Sequence, residues 1–402
     1  MANVIGGYDD NLIGGYGTGA GVAPAAMASG STGFLAATLG YFRGNASRSI
    51  RMESTGNLRA YPDNLQRPAP GGTGTVDART TVGRSVTLRA SERIGHEPFF
   101  SVFSAGASDA PLPAGIGETS TATGLFQRRS HSSHTSVSLD RIWSQRDSTS
   151  LSYSYREQQF TDAAHGDNNA QEVLTEYWRR LARGVRVRAA YRYADREFTD
   201  YEGTARPTRE HRIEGGPEIE TALSRRRHLA VALAAGATSV ESIGGISRNL
   251  YHAWVPVGSA RVTLGLSPAW SLEGGYRRGF NLLQGITDEV YTTDTGFLTT
   301  RGRVTSRAQL QVAATYSNGR TSLVPGSDNK FRVYGASLQV NVPLTASIAA
   351  TARYLYYHHR YSTAGALPAG FPAVYDRHAV GIGLTMWVPL VGTGSSSPLL
   401  PR

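Results

Sequence analysis

Hydrophobic and polar residues alternate, with a period of two, along most of this chain. Residues 185–196 show the pattern most clearly: Val185, Val187, Ala189, Tyr191 and Tyr193 occupy one parity, and Arg186, Arg188, Arg192 and Arg196 the other. Successive side chains of a β-strand point to opposite faces. The pattern therefore predicts strands that separate an apolar face from a charged one.

The alternation belongs to a unit that recurs about every 40 residues, a period that must be explained before any single element. Each unit is a long strand, a tight turn, a second long strand rich in tyrosine near its far end, and a polar loop. Most strands alternate over roughly nine residues or more, close to the length of a tilted transmembrane strand. The longer loops are expected at residues 12–30, 61–74, 105–121, 162–168 and 364–373.

These hairpins predict an all-β fold: a closed, antiparallel, up-and-down transmembrane barrel of about 18 strands, with 16 as the alternative. A β-propeller also repeats at about 40 residues, but each blade packs four short strands into that length. A soluble sandwich or solenoid would alternate as well. The length, number and regularity of the strands favour the membrane barrel, because globular strands usually run to about 5–6 residues.

The charges indicate which face meets lipid. A lipid-facing arginine costs about 2–4 kcal/mol at the bilayer midplane, so the arginine parity is expected to face the lumen. Aromatic residues at similar distances from the turns predict an interfacial girdle. Its expected members are Tyr153, Tyr155, Tyr191, Tyr193, Tyr276, Tyr316, Tyr354, Trp270 and Trp387.

Composition narrows the alternatives. No run approaches the roughly 20 apolar residues of a spanning helix, and the mean hydropathy is −0.29. Cysteine is absent, which excludes disulfides and thiolate sites. The net charge is +10 and Lys330 is the only lysine, so arginine supplies almost all of the basicity.

The arginine row at residues 186–196 lies between two acidic stretches, with Glu172 and Glu176 before it and Glu214, Glu218 and Glu220 after it. Opposite charges on neighbouring strands form salt bridges that brace the wall. Arginines left unpaired would instead make the lumen attract anions. The candidate pore-lining residues are Arg186, Arg188, Arg192, Arg196, Arg89, Arg93, Arg277, Arg353, Glu214 and Glu218.

No catalytic or metal-binding pattern stands out. His131 and His134 share no strand face, and no nucleophile elbow is present. We therefore expect no enzyme activity, no cofactor and no metal site.

With these features the chain resembles the porin-like outer-membrane β-barrel proteins of Gram-negative bacteria, including those associated with exopolysaccharide systems. The resemblance rests on the opening segment from Gly6 to Asn11, the hairpin pattern, and a final strand in which Gly381, Leu384, Met386 and Trp387 approximate an assembly signal. It implies an outer-membrane location, lipid or lipopolysaccharide and the barrel assembly machinery as partners, and no nucleic acid; oligomeric state stays open. Because it is architectural, it transfers no ligand residues.

The sequence thus predicts a barrel over residues 1–390, a flexible tail over residues 391–402, and a porin-like channel for small hydrophilic or anionic solutes, with polysaccharide export as a variant. The alternatives are a non-transport barrel that acts as an adhesin or scaffold through its loops, and a soluble binding module. The first residues carry no secretory signal, so we expect that an export signal was removed or lies upstream.

Overall fold

A computed structural model describes residues 1–13, 27–45, 47–62, 68–97, 100–101, 125–126, 129–161, 167–199, 205–244, 249–282, 290–321, 329–362 and 373–388. The secondary structure in these ranges is β-strand joined by turns. No helix in them is long and apolar enough to cross a membrane. The expected tail and the loop at 105–121 lie outside the described residues.

The strands are long and follow one another along the chain. They are β1 (Ala2–Ile13), β2 (Met27–Gly44), β3 (Arg48–Ala60), β4 (Ala69–Val82), β5 (Val86–Glu97), β6 (Phe100–Ser101), β7 (Leu125–Phe126), β8 (Ser130–Ile142), β9 (Asp147–Phe160), β10 (Asn168–Ala182), β11 (Val185–Thr199), β12 (Ala205–Ser224), β13 (Arg227–Gly244), β14 (Asn249–Ser267), β15 (Trp270–Leu282), β16 (Val290–Arg303), β17 (Gln309–Thr321), β18 (Lys330–Pro343), β19 (Ile348–Tyr361) and β20 (Val374–Met386).

Among the described residues, 18 of these strands form one antiparallel sheet, and the two-residue strands β6 and β7 pair only with each other. Each long strand pairs with its neighbours in the chain, and β1 pairs with both β2 and β20. The β1–β20 ladder runs from Ala2 opposite Met386 to Asp9 opposite Ala379. It closes the sheet, which confirms the predicted 18-stranded antiparallel barrel.

Side chains alternate between the outside and the inside of this barrel. In β20 the outward residues Val380, Ile382 and Leu384 are exposed, while Tyr375 and Arg377 on the other parity are buried. The same holds for Leu88 in β5 and Tyr191 in β11, which expose apolar or aromatic side chains outward. An apolar outer band around a polar interior is the architecture of outer-membrane β-barrels.

Short turns close every hairpin at one end of the barrel. Gly83 and Gly184 have φ of 63° and 74°, which a glycine adopts without steric cost. The strand ends that flank the longer connections lie at the other end. The first residue of β1 and the last residue of β20 lie at the short-turn end. Short turns typically face the periplasm and long loops the cell exterior.

Two predicted loops are shorter in the structure than expected from the sequence. The predicted loop 12–30 contains the end of β1 and the start of β2, and the predicted loop 61–74 contains the start of β4. Gly71 and Gly72 pair with Asn57 and Gly56 of β3. These glycine-rich strand ends can pair without alternating apolar side chains, because the hydrogen bonds of the ladder use backbone groups alone.

Candidate functional site

The candidate site is the inner wall of the barrel, which is formed by the inward-facing side chains of each strand. Its two halves differ. Towards the short turns, inward side chains such as Arg51, Arg89 and Arg186 are more than half exposed. Towards the long loops, inward side chains are mostly buried, and Tyr291 and Tyr357 are each 1% exposed. The lumen is therefore accessible to water from the short-turn end.

The arginine row of β11 faces this interior and meets carboxylates on β10 and β12. The contacting atom pairs are Arg186 Nη2–Glu218 Oε2 at 2.5 Å, Arg188 Nη2–Glu214 Oε1 at 2.6 Å, Arg188 Nε–Glu176 Oε1 at 2.9 Å, Arg192 Nε–Glu172 Oε1 at 3.3 Å and Arg196 Nη1–Glu210 Oε2 at 2.7 Å. Arg212 of β12 adds a further contact to Glu214. Each arginine of the row thus has an acidic partner.

Register explains this network. Glu218 and Glu214 of β12 lie directly opposite Arg186 and Ala190, and Glu176 of β10 also lies opposite Ala190. Arg188 therefore sits diagonally between two carboxylates, within the reach of a long side chain. The indole of Trp178 lies under the guanidinium groups of Arg186 and Arg188, at 4.6 and 5.6 Å. The row braces the wall and carries little net charge.

A second charged surface lies on the interior of β3, β4, β5 and β8, and it is more exposed and less balanced. Arg51 pairs with Glu53, and Arg89 pairs with Asp140 at 2.6 Å. Arg79 lies directly opposite Arg89 and is exposed. Like charges in direct opposition destabilise a sheet. Asp77 lies on the same face, opposite Arg51 and two residues from Arg79, and accepts a hydrogen bond from Ser91, so it offsets part of the positive charge of this surface.

Arg93 completes this surface, and we call Arg79, Arg89 and Arg93 the lumenal arginine face. Within the described part of the chain, no carboxylate lies at ion-pair distance from Arg79 or Arg93. The register places Arg93 opposite His134, which in turn lies opposite Arg156. The sequence singled out Arg89 and Arg93, but it did not single out Arg79.

The remaining predicted lining residues, Arg277 and Arg353, also belong to the interior parity. Arg353 of β19 lies across Gly381, where its Nε would be 2.9 Å from a Cβ atom. A Cβ at position 381 would therefore crowd this flexible side chain. Arg353 is half-buried near Arg377, whose Nε donates to both carboxylate oxygens of Asp9, at 2.9 and 3.0 Å.

An aromatic cluster, which was not predicted from the sequence, lies on the inner wall near the loop end. Ring pairs at 5.1–6.0 Å connect neighbouring members of this cluster, which consists of Tyr291, Phe331, Tyr357, His359, Tyr361 and Tyr375. The signal was present in β19, where Tyr357, His359 and Tyr361 share the interior parity. Nearby Tyr61, just past β3, is also buried, and burial raises the pKa of its hydroxyl.

Most residues of the predicted girdle lie on the outer face. Tyr153, Tyr191, Tyr276, Tyr316 and Tyr354 are all 37–46% exposed. Tyr155 and Tyr193 share the outward parity of Tyr153 and Tyr191. Trp270 lies over Gly302 near the short turns, and its Nε1 donates to the carbonyl of Arg303 at 3.0 Å.

Trp387 lies just past the end of β20, after Met386, an outward residue that is 44% exposed. Its place in the girdle stays a prediction.

The sequence matches no protein-family model and no curated protein. Among solved structures, the FrpB iron transporter from Neisseria meningitidis overlays with a TM-score of 0.49 at 9% identity, covering 91% of this chain and 63% of its own. The ferric citrate transporter FecA gives 0.48 at 11% identity, covering 95% and 63%. The ferric-catecholate import receptor Fiu from E. coli gives 0.47 at 9% identity, covering 97% and 75%. The chain thus spans less than two thirds of the length of FrpB and FecA, and at these identities no transport specificity transfers from them.

Proposed function

We propose that this chain is an outer-membrane channel for passive passage of small hydrophilic anions. The observation that carries the proposal is the lumenal arginine face, a water-accessible and positively charged strip along the interior of β4 and β5. A confined passage with one sign of charge on its wall raises the local concentration of counter-ions. Anionic solutes are therefore favoured over cations.

The buried loop half supports small solutes in preference to a polymer. Its inward aromatic side chains exclude water from that part of the wall, so a passage there is narrow. The short-turn half forms a water-accessible vestibule with exposed Arg51, Arg89 and Arg186. The short-turn half would then select solutes by charge, and the loop half would select them by size.

A planar-bilayer recording of the refolded barrel in a KCl gradient tests this proposal. We expect stepwise conductance increments and a reversal potential that has the same sign as the equilibrium potential of chloride. Insertion without conductance steps, with the barrel shown to be folded by its heat-modifiable gel mobility, would overturn the channel proposal.

The buried cluster also favours a second candidate, a non-transport barrel that serves as a surface scaffold. If the aromatic cluster blocks the lumen fully, folded barrels would insert and remain silent. The same recording therefore discriminates between the two functions.

A further inference from the structure

A serine and a histidine form a hydrogen bond on the outer face of the barrel, away from the lumen. The Oγ of Ser239 in β13 lies 2.9 Å from the Nε2 of His252 in β14. Both residues share the outward parity of exposed neighbours, Leu233 in β13 and Trp254 in β14. A hydroxyl beside a histidine nitrogen that can take its proton is the pairing that activates a nucleophilic serine.

Two histidines flank Ser239, and one of them is engaged elsewhere. His211 of β12 lies directly opposite Ser239, but its Nδ1 is 2.9 Å from the hydroxyl of Tyr191. His252 meets the serine through Nε2, which leaves Nδ1 for an orienting acid, as in serine hydrolases. His252 is therefore the base of the pair.

The register supplies an acid for this histidine. Glu241 of β13 shares the outward parity of Ser239 and lies directly opposite His252. Among the described residues its carboxylate is beyond ion-pair distance of the imidazole. Catalytic hydrogen bonds are often long before substrate binds and tighten in the complex. A rotation of the glutamate side chain would bring the carboxylate to Nδ1.

Arg209 of β12 brings a positive charge to the same place. It is exposed, lies directly opposite Glu241 and is diagonal to Ser239. Diagonal neighbours are about 7–8 Å apart, which is within the reach of a long side chain. A cation beside the serine can stabilise the negative oxygen that forms when a hydroxyl attacks a carbonyl group.

The pair lies where the apolar band of the outer face ends. On β13 the outward positions from Leu229 to Ala237 are all apolar, and Ser239 is the first polar one towards the loops. Trp254, directly opposite Ser239, is 66% exposed. Tryptophans of this kind lie at the membrane–water interface. The ester bonds of lipids lie at this same depth, between the hydrocarbon core and the headgroups.

Small side chains leave a shallow groove on the lipid-facing surface beside the serine. Ala235 lies four residues from Ser239 towards the short turns, which is about 13 Å along a strand. It is flanked by Gly215 of β12 and Gly258 of β14. Leu233, which is 46% exposed, ends the groove. An extended acyl chain can lie in this groove with its ester carbonyl at Ser239.

We propose that the outer face of β12, β13 and β14 carries a hydrolase site for the carboxylic esters of long acyl chains. The Oγ of Ser239 attacks the carbonyl carbon, and its proton passes to Nε2 of His252. Arg209 stabilises the tetrahedral oxyanion. The bond between the carbonyl carbon and the alcohol oxygen then breaks, and His252 returns the proton to that oxygen. Water, deprotonated by His252, hydrolyses the acyl-serine to the carboxylic acid and free Ser239.

The sequence alone did not indicate this site. Ser239 and His252 are 13 residues apart and lie on different strands, so no local motif joins them. The register of β13 and β14 brings them together.

The test uses the full-length refolded barrel in detergent, with a fluorophosphonate probe and with para-nitrophenyl laurate as the substrate. We expect one probe adduct, on Ser239, and none in Ser239→Ala. His252→Phe should lower the rate of laurate hydrolysis by about a hundredfold or more. The matched control is His378→Phe, which alters an outward histidine bonded to Tyr354 at 2.7 Å and should keep the wild-type rate.

Two further variants test the groove and the acid. Ala235→Leu fills the groove, so it should raise KM for the laurate ester and leave the hydrolysis of para-nitrophenyl acetate unchanged. Glu241→Gln should move the acidic limb of the pH–rate profile to lower pH, because the imidazole loses a nearby negative charge. Fatty acid release from phosphatidylethanolamine or from lipid A, assayed separately, identifies which lipid supplies the ester.

Heat-modifiable gel mobility checks that each barrel is folded. A folded wild-type barrel that takes up no probe and hydrolyses no ester would overturn the proposal, as would labelling and hydrolysis that persist in Ser239→Ala. Channel conductance is measured separately and should be unchanged in Ser239→Ala, so neither result depends on the proposed transport function.

Discussion

At the scale of single residues, the most connected side chain of the interior is Arg188. It contacts Glu176 and Glu214 and lies against Trp178. Only 23% of its side chain is exposed, whereas Arg89, which pairs with Asp140, is 52% exposed. Exposed ion pairs contribute little because water and salt screen them, while removal of one member of a less exposed pair leaves the other charge without compensation.

We therefore predict that Arg188→Met lowers the free energy of unfolding by about 2–3 kcal/mol, because two carboxylates lose the same partner. Arg89→Met should lower it by less than about 1 kcal/mol. Urea unfolding in lipid vesicles, followed by tryptophan fluorescence, measures both values. Equal losses of unfolding free energy in the two variants would contradict this prediction. They would show that the ion pairs between β10, β11 and β12 are as hydrated as those of the vestibule.

At the scale of elements, the seam between β1 and β20 decides whether the barrel closes. Glycines on both strands line it, and a Cβ on Gly7 would lie 2.1 Å from the carbonyl oxygen of Val380. The buried pair of Arg377 and Asp9 also crosses this seam. The two strands approach so closely that only a glycine fits at position 7.

Gly7→Ala should accordingly destabilise the barrel by about 1–3 kcal/mol, because the added methyl group must push two backbones apart. The neighbouring Gly6→Ala is the matched control, since a Cβ there meets nothing within 4 Å. It should leave stability unchanged or raise it by up to about 1 kcal/mol. The temperature at which each barrel loses its folded gel mobility reports the difference, and a similar shift in both variants would contradict the seam argument.

Elements were also what the sequence predicted best, because lipid imposes one apolar parity on every spanning strand. The strand over Val185–Thr199, its inward arginines and their acidic neighbours on β10 and β12 all follow from alternation and a simple meander order. Strand ends outside the apolar band carry no such constraint. The start of β4 was therefore predicted to be a loop.

At the scale of the whole molecule, the two halves of the lumen differ in a way that alternation could not reveal. Alternation states which side chains point inward, not how much space the closed barrel leaves around them. Asp9 and Arg377 are far apart in the chain, and their buried contact exists only after β1 meets β20. The burial of Tyr357 and Tyr375 and the exposure of Arg79 arise from the same closure.

The distribution of charge over the lumen leads to the last prediction. Among the described residues, Arg79 and Arg93 have no carboxylate at ion-pair distance, whereas Arg196 and Glu210 of the β11–β12 network cancel each other at 2.7 Å. Arg79→Gln/Arg93→Gln should lower the anion-to-cation permeability ratio at least about threefold, because the local potential falls with the charge that creates it. The balanced variant Arg196→Gln/Glu210→Gln should leave the ratio unchanged. Reversal potentials in a KCl gradient measure both, and a larger shift in the balanced variant would place the selectivity of the channel on β11 instead of the lumenal arginine face.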